Sequence, residues 1–344
     1  MEIPIKNLYY LLCYAWDKLP EREFVKVAAI QGANSLDLLA YLFTRNLQKF
    51  FQHGIKRDYV TELQEVQGVR GRIHFQSSLS SFAFRNAKTH CEVDQLTYNI
   101  LPNQIIKTTI LRLLRTKELK AASWNELRRH ERYLRNISTI RLSPSLFQQV
   151  EPYKRQGSYD FLLNICELLY LQLMPQEQEG VFQFVDFRED ERKMARLFEA
   201  FVYNFYRIEQ RQYSVSRSRI RWKEVSPQGD SPLSLLPIMQ TDITLRSPKH
   251  SIIIDTKFYK KTLQERFDHK SIISPNLYQL YAYLNNFPCS STHSLEGLLL
   301  YPQVDEEIHV SYKIQHHIIS VRTINLANDW NIIEHDLLKI VNCI

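Results

Sequence analysis

The chain has 344 residues, a formal net charge of +7, a hydrophobic share of 44% and only 8 glycines. That length favours two domains, and that composition excludes a fibre or a disordered tail. The five cysteines (Cys13, Cys91, Cys166, Cys289 and Cys343) form no CxxC pair, which argues against thiolate zinc and for a reducing, cytoplasmic setting. The apolar run at residues 8–16 is too short to span a bilayer, so no membrane association is expected. The basic balance favours a polyanionic partner.

In chain order, residues 7–16 predict a short buried helix. Residues 34–51 predict a second, opened by Asn34 and Ser35, with Leu36, Leu39, Leu42, Phe43, Leu47 and Phe50 at helical spacing. Residues 59–75 carry β-branched side chains around Gly68 and Gly71, the pattern of strands about a tight turn. Residues 104–114 and 124–134 predict basic helices whose arginines form solvated faces. An apolar helix follows over 158–174, then a linker at 175–180. The linker divides an α+β domain (1–178) from an α/β domain (179–344). In the latter, a strand is expected over 181–187 and an amphipathic helix over 190–209. A single alternating strand should follow over 213–222. Next come a hairpin of strands 241–245 and 251–258 around Pro248, a helix over 275–284 and a final strand over 297–301.

The hairpin carries the chemistry. Ile252, Ile253 and Ile254 form a continuous apolar run, the mark of a strand buried on both faces, and it ends in Asp255 and Lys257. Side chains alternate along a strand, so Asp255 and Lys257 share a face. If Pro248 and Lys249 are the central residues of a two-residue turn, Ser247 pairs with His250 and Asp242 falls opposite Asp255. Two carboxylates so placed, about 5 Å apart at Cβ, call for a cation between them. Asp242 and Asp255 then suit Mg²⁺, a hard ion that prefers carboxylate and water oxygens. Lys257 would position the attacking water and offset charge on a phosphate, giving metal-dependent phosphodiester hydrolysis.

Asp242 followed by Asp255-Thr256-Lys257 after an apolar strand resembles the PD-(D/E)xK nuclease superfamily, although Thr241 stands where that motif often has proline. Gln279 and Tyr283 resemble the Gln-x-x-x-Tyr helix of its RecB-like branch, and Glu199 occupies the helix that often bears an extra acidic residue there. Four further segments narrow the resemblance: residues 5–16, Gly68-Val-Arg-Gly71-Arg72 with Phe75, Asn99 to Asn103 with Lys107, and Asn276 to Gln279. Together these are similar to the McrC family, the nuclease component of the McrBC modified-cytosine restriction system. The resemblance implies a C-terminal restriction-endonuclease-like domain, a mixed central sheet flanked by helices, at 179–344. It implies an N-terminal α+β domain that docks on a hexameric AAA+ GTPase of the McrB type and stimulates it. The partner would read double-stranded DNA carrying 5-methylcytosine, and this chain would cut it with Mg²⁺. The rival reading is a non-catalytic activator of the GTPase with an idle nuclease site.

None of the 8 glycines opens a P-loop, so any energy needed for cutting would come from the partner. Arg217, Arg219 and Arg221 alternate and would face one way on the expected strand, as DNA-backbone candidates or as a solvated row. Arg70 and Arg72, in the Gly68–Gly71 turn, become partner-contact candidates through the family resemblance. His316 and His317 read as structural.

Overall fold

The computed structural model describes residues 3–17, 34–154, 159–176, 181–228, 232–259, 264–266, 269–289 and 293–342. Two compact units emerge: a largely helical unit at residues 34–185, and a sheet unit joining residues 1–33 to 186–344.

The first helix, α1 (Ile5–Ala15), belongs to the sheet unit and not to the N-terminal domain expected at 1–178. Its side chains explain why. Tyr14 meets Phe201, Phe205 and Trp330 at ring-centroid distances of 5.8, 5.5 and 5.4 Å. Asn7, buried, donates through Nδ2 to the carbonyls of Leu326 (2.8 Å) and Asn328 (2.7 Å).

In the helical unit, α2 (Ser35–Gln52) starts at a capping box. Asn34 accepts from the amide of Asp37, and the Asp37 carboxylate accepts from that of Asn34. Then come β1 (Asp58–Gln67), β2 (Arg72–Ile73), α3 (Phe75–Ser80) and β3 (Lys88–Thr97), with strand order β1-β3-β2. Residues 68–71 are therefore a crossover and not the expected hairpin turn. Gln64 of β1 and Ile73 of β2 both pair with Cys91, from opposite sides of β3. The crossover works because Gly68 and Gly71 take positive φ, 74° and 83°. At Gly71 a Cβ would lie 2.2 Å from the Glu92 carbonyl oxygen.

The helices α4 (Leu101–Leu114), α5 (Ala121–Glu131), α6 (Pro144–Gln149), α7 (Glu151–Lys154) and α8 (Asp160–Gln172) complete this unit's core. Asn103, fully buried, is a keystone there. Its Nδ2 donates to the carbonyls of Lys56 (3.1 Å) and Tyr98 (2.8 Å), while its Oδ1 accepts from the Tyr159 hydroxyl (2.6 Å). β4 (Leu173–Pro175) ends the helix expected to reach 174 and pairs with β5 (Phe182–Phe184). That hairpin keeps 182–184 with the helical unit, so the division falls after Val185 and not at 178/179.

The sheet unit resumes with α9 (Glu191–Glu209), capped by Asp190, whose carboxylate accepts from the amides of Arg192 and Lys193. Next are β6 (Ser214–Ser216), β7 (Arg219–Ile220), β8 (Met239–Gln240), β9 (Ile243–Arg246) and β10 (His250–Thr256). They are followed by β11 (Gln264–Arg266), β12 (His269–Ser271), α10 (Ser274–Asn286) and β13 (Ser294–Pro302). The strand expected to be final is not: β14 (His309–Ile314), β15 (His317–Ile324) and α11 (Trp330–Asn342) follow.

The central sheet runs β14-β15-β13-β10-β9-β6, with β15, β13 and β10 parallel and antiparallel neighbours at both margins. On one face α10 packs Leu280, Tyr283 and Leu284 against Ile253, Leu299 and Val321. Alternation turns Ile252 and Ile254 to the opposite face, where α9 meets β10. Gly297 of β13 lets α10 approach: a Cβ there would lie 2.9 Å from Leu284 Cδ1 and 3.0 Å from Leu280 Cδ2.

The expected strand over 213–222 is broken in two. β6 follows β9 only as far as Ser216↔Thr244. The chain then steps out at Arg217, and β7 pairs with β8 instead.

Gly71→Ala tests the crossover. Positive φ and the clash with Glu92 should together cost about 2 kcal/mol or more, read as a lower denaturation midpoint of the chain.

Candidate active site

The register of the β9–β10 hairpin is the one counted from sequence. Ser247 donates to the His250 carbonyl (2.8 Å), and Ser251, Ile252, Ile253 and Ile254 pair with Arg246, Leu245, Thr244 and Ile243. The next step outward sets Asp242 against Asp255. Ser251 to Thr256 are all buried, and Asp255 has no exposed surface.

Asp255 closes an apolar strand with a charge. Lys257 Nζ lies 2.7 Å from its Oδ2, yet neither carboxylate oxygen accepts an aligned hydrogen bond. Burial pushes the Asp255 carboxyl up to about 7; Lys257 opposes the shift, and the charges of Asp242 and Glu199 add to it. Burial would lower the Lys257 ammonium, but Asp255 and Asp242 outweigh it and raise it above the usual lysine range. Asp242 is held by its neighbour across the hairpin: its Oδ2 accepts from both the amide (2.8 Å) and the hydroxyl (3.0 Å) of Thr256.

Of the three accessory candidates, Glu199 and Tyr283 feel the charge of Asp242, and Gln279 is hydrogen-bonded to Tyr283. Glu199 of α9 is half-buried. Burial and the charge of Asp242 raise its carboxyl, against Arg217 and Lys257. Gln279 and Tyr283, one turn apart on α10, are joined by Gln279 Nε2 donating to the Tyr283 hydroxyl (2.6 Å). The Tyr283 phenol is raised by burial and by the charges of Asp255 and Asp242.

The three arginines part company. Arg217, at the step between β6 and β7, pairs with Glu199 (2.9 Å) and lies over the Tyr203 ring (4.9 Å). Arg219 and Arg221 stay exposed on the side away from buried Ile220. In the helical unit Arg70 and Arg72 are exposed on the β1–β2 crossover, with Arg72 4.0 Å from Glu92. His316 is exposed and His317 opens β15.

Two contributions escaped sequence reasoning. Thr256, next to Asp255 in β10, anchors Asp242, a role visible only once the hairpin register is drawn. On the Lys257 side, Tyr259 donates to Asn276 Oδ1 (3.4 Å), and Asn276 Nδ2 donates to the Tyr301 hydroxyl (3.0 Å). Asp255 pairs with Leu299 and Lys257 N donates to the Leu300 carbonyl, so Tyr301 flanks Lys257 on the next strand. One step beyond the last β10–β13 pair, Thr256↔Leu300, sets Tyr301 against Lys257.

Among the described residues, no three His, Cys, Asp or Glu side chains form a preassembled metal cluster. The donor chemistry nonetheless fits a hard cation. Both oxygens of buried Asp255 lack aligned hydrogen bonds, and Thr256 uses only one oxygen of Asp242.

A mixed six-stranded sheet flanked by α9 and α10 defines a mixed α/β class of protein. The family model for the McrBC 5-methylcytosine restriction system component matches residues 5–302. The chain is 34% identical over 338 residues to the type IV methyl-directed restriction enzyme EcoKMcrBC of Escherichia coli strain K12, covering 98% of this chain and 97% of that protein. Its fold is similar, at a TM-score of 0.58 and 17% identity, to a chain in a half-complex from a tetradecameric assembly of Thermococcus gammatolerans McrB AAA+ hexamers with bound McrC. That match covers 99% of this chain and 76% of the other. The chain belongs to the McrC family of McrBC restriction-system components.

The raised Asp255 sets a pH dependence. A carboxyl protonated when folded but ionised when unfolded opposes folding as pH rises from about 4 to about 7. In EDTA, Asp255→Asn should gain on wild type by roughly 1 kcal/mol per pH unit across that window. Denaturant midpoints of both proteins at pH 5 and pH 7.5 measure the gain, and an unchanged difference would contradict it.

Proposed function

We propose that this chain is the DNA-cutting subunit of a modification-dependent restriction complex, with Asp242, Asp255 and Lys257 as its catalytic residues. The observation that carries the reading is the fully buried Asp255 beside Lys257 and opposite Asp242. A fold has little reason to bury a carboxylate whose one charged neighbour is a lysine on Oδ2 and whose Oδ1 has no partner among the described residues, unless a ligand completes the site.

Asp242 and Asp255 would hold Mg²⁺, which when bound would lower the pKa of a coordinated water and offset charge on the scissile phosphate. Lys257 orients the attacking water and stabilises negative charge as the phosphate is attacked. Thr256 fixes Asp242. Gln279 and Tyr283 border the site from α10, and Glu199, held by Arg217, supplies a third carboxylate at its margin.

The helical unit is the candidate for docking on an AAA+ GTPase. Around its three-stranded sheet, Val69, Phe75, Leu79 and Phe82 are exposed next to Arg70 and Arg72, a surface suited to a protein partner. The similar Thermococcus gammatolerans chain is part of an assembly of McrB hexamers with bound McrC. By family kinship the DNA would carry 5-methylcytosine read by that partner. Among the described residues, no helix is long and apolar enough to cross a membrane.

The experiment is cleavage of methylated plasmid by the chain with its AAA+ partner, GTP and Mg²⁺. Asp255→Ala and Lys257→Ala should each lower cleavage by at least about 10²-fold while GTP hydrolysis is stimulated as in wild type. Equal cutting by Asp255→Ala would reduce the chain to an activator. Chelation with EDTA should abolish cleavage, and added Mg²⁺ should restore it.

A further inference from the structure

β7 and β8 form the root of an arm, described over residues 219–228 and 232–240, that leaves the sheet between Arg217 and Asp242. The root is fixed. Thr241 N donates to the Ser218 carbonyl (3.0 Å), and Ser218 N donates to Thr241 Oγ1 (2.9 Å). Ile220 is buried in the cluster with Tyr283 and Leu284, and Met239 packs against it. Further out, Trp222 Nε1 donates to the Pro237 carbonyl (2.9 Å) and ties the two legs together.

Along the leg that returns to β8 the usual order of burial is reversed. Leu233, Leu235, Leu236 and Ile238 are 52%, 79%, 42% and 58% exposed. Aliphatic side chains clustered in water are unfavourable and mark a surface that something covers. The other leg is basic: Arg219, Arg221 and Lys223 are exposed, and none makes an ion pair among the described residues.

We propose that this arm is a DNA grip, with Arg219 and Arg221 on backbone phosphates and the leucine-rich tip set into the groove against sugar and base faces. The inference deepens the nuclease reading and rests on it. Two observations select a duplex as the occupant. Cations and aliphatics lie on opposite legs of one arm, and a DNA groove offers phosphates beside the apolar faces of sugars and bases. The arm is also continuous with the site. Arg219 pairs with Gln240, two residues before Asp242 and roughly 7 Å along the strand. A duplex with a phosphate at Asp242 and Asp255 therefore runs on past the arginines, towards the tip.

The test uses the full chain in complex with its AAA+ partner and a methylated duplex carrying 2-aminopurine beside the cut site. Two double variants are compared with wild type, Leu235→Ala/Leu236→Ala and Arg219→Gln/Arg221→Gln. The leucine pair should lose the 2-aminopurine fluorescence rise on binding and cut on the order of tenfold more slowly. The arginine pair should bind more weakly, with a salt dependence shallower by about two phosphate contacts. Both should stimulate GTP hydrolysis as wild type does, which shows them folded and assembled. Wild-type cutting, fluorescence and salt dependence in both variants would overturn the proposal. So would a leucine variant that changes only the mass of the complex, because the tip would then be an interface between copies of this chain. If the wild-type complex itself fails to cut, the nuclease reading falls first and the grip with it.

Discussion

Asp255 ends a strand in which every residue from Ser251 to Thr256 is buried, so its carboxylate is held where water cannot solvate it. Removing a charge from water costs several kcal/mol even after the protein relaxes. The surrounding structure reads as a response to that cost. Lys257 leans back on Oδ2, and Thr256 draws Asp242 across the hairpin end with two hydrogen bonds. Burial pushes the Asp255 carboxyl up, and the charges of Asp255 and Asp242 raise the lysine. The cost is only partly offset, because among the described residues nothing besides Lys257 reaches the carboxylate. A bound cation would relieve it, so the feature that weakens the fold is the one that equips the site.

The sheet topology makes such a site possible. Three parallel strands end side by side on one edge, and antiparallel β9 brings Asp242 back to the same end. α10 closes the face that bears Asp255, and Gly297 admits it. Substituting even a methyl group there would push against Leu280 and Leu284 and shift the helix carrying Gln279 and Tyr283. The geometry of this edge therefore depends on a residue with no side chain of its own.

Much of this was legible in the sequence, because the informative signals were local. The Ile252–Ile254 run announced a buried strand, and the two-residue turn at Pro248 fixed a register that the ladder reproduces through Ile254↔Ile243. Asn34 and Asp190 each cap the helix expected after them. What was missed depends on long-range pairing. Gly68 and Gly71 look the same whether the chain turns back or crosses a third strand, and only Lys88–Thr97 decides between them. The row of arginines breaks because the β6–β9 ladder stops at Ser216↔Thr244 and Arg219 pairs with Gln240 of β8 instead, which a pattern of alternation cannot reveal. α1 joins the distant half through Tyr14 and Asn7, contacts spanning more than 180 residues of chain. Some residues that carried the family resemblance, Asn7 and Asn103 among them, prove to be keystones of folding and not of chemistry.

The central claim, that Asp242 and Asp255 form a cation site, is tested most directly by a crystal of this chain grown with Mn²⁺ and measured for anomalous scattering. The account predicts a peak bonded to oxygens of both aspartates, with Lys257 displaced from Asp255 Oδ2, and loss of that peak in Asp255→Asn. A well-ordered site without metal at high Mn²⁺, or a peak elsewhere, would contradict it.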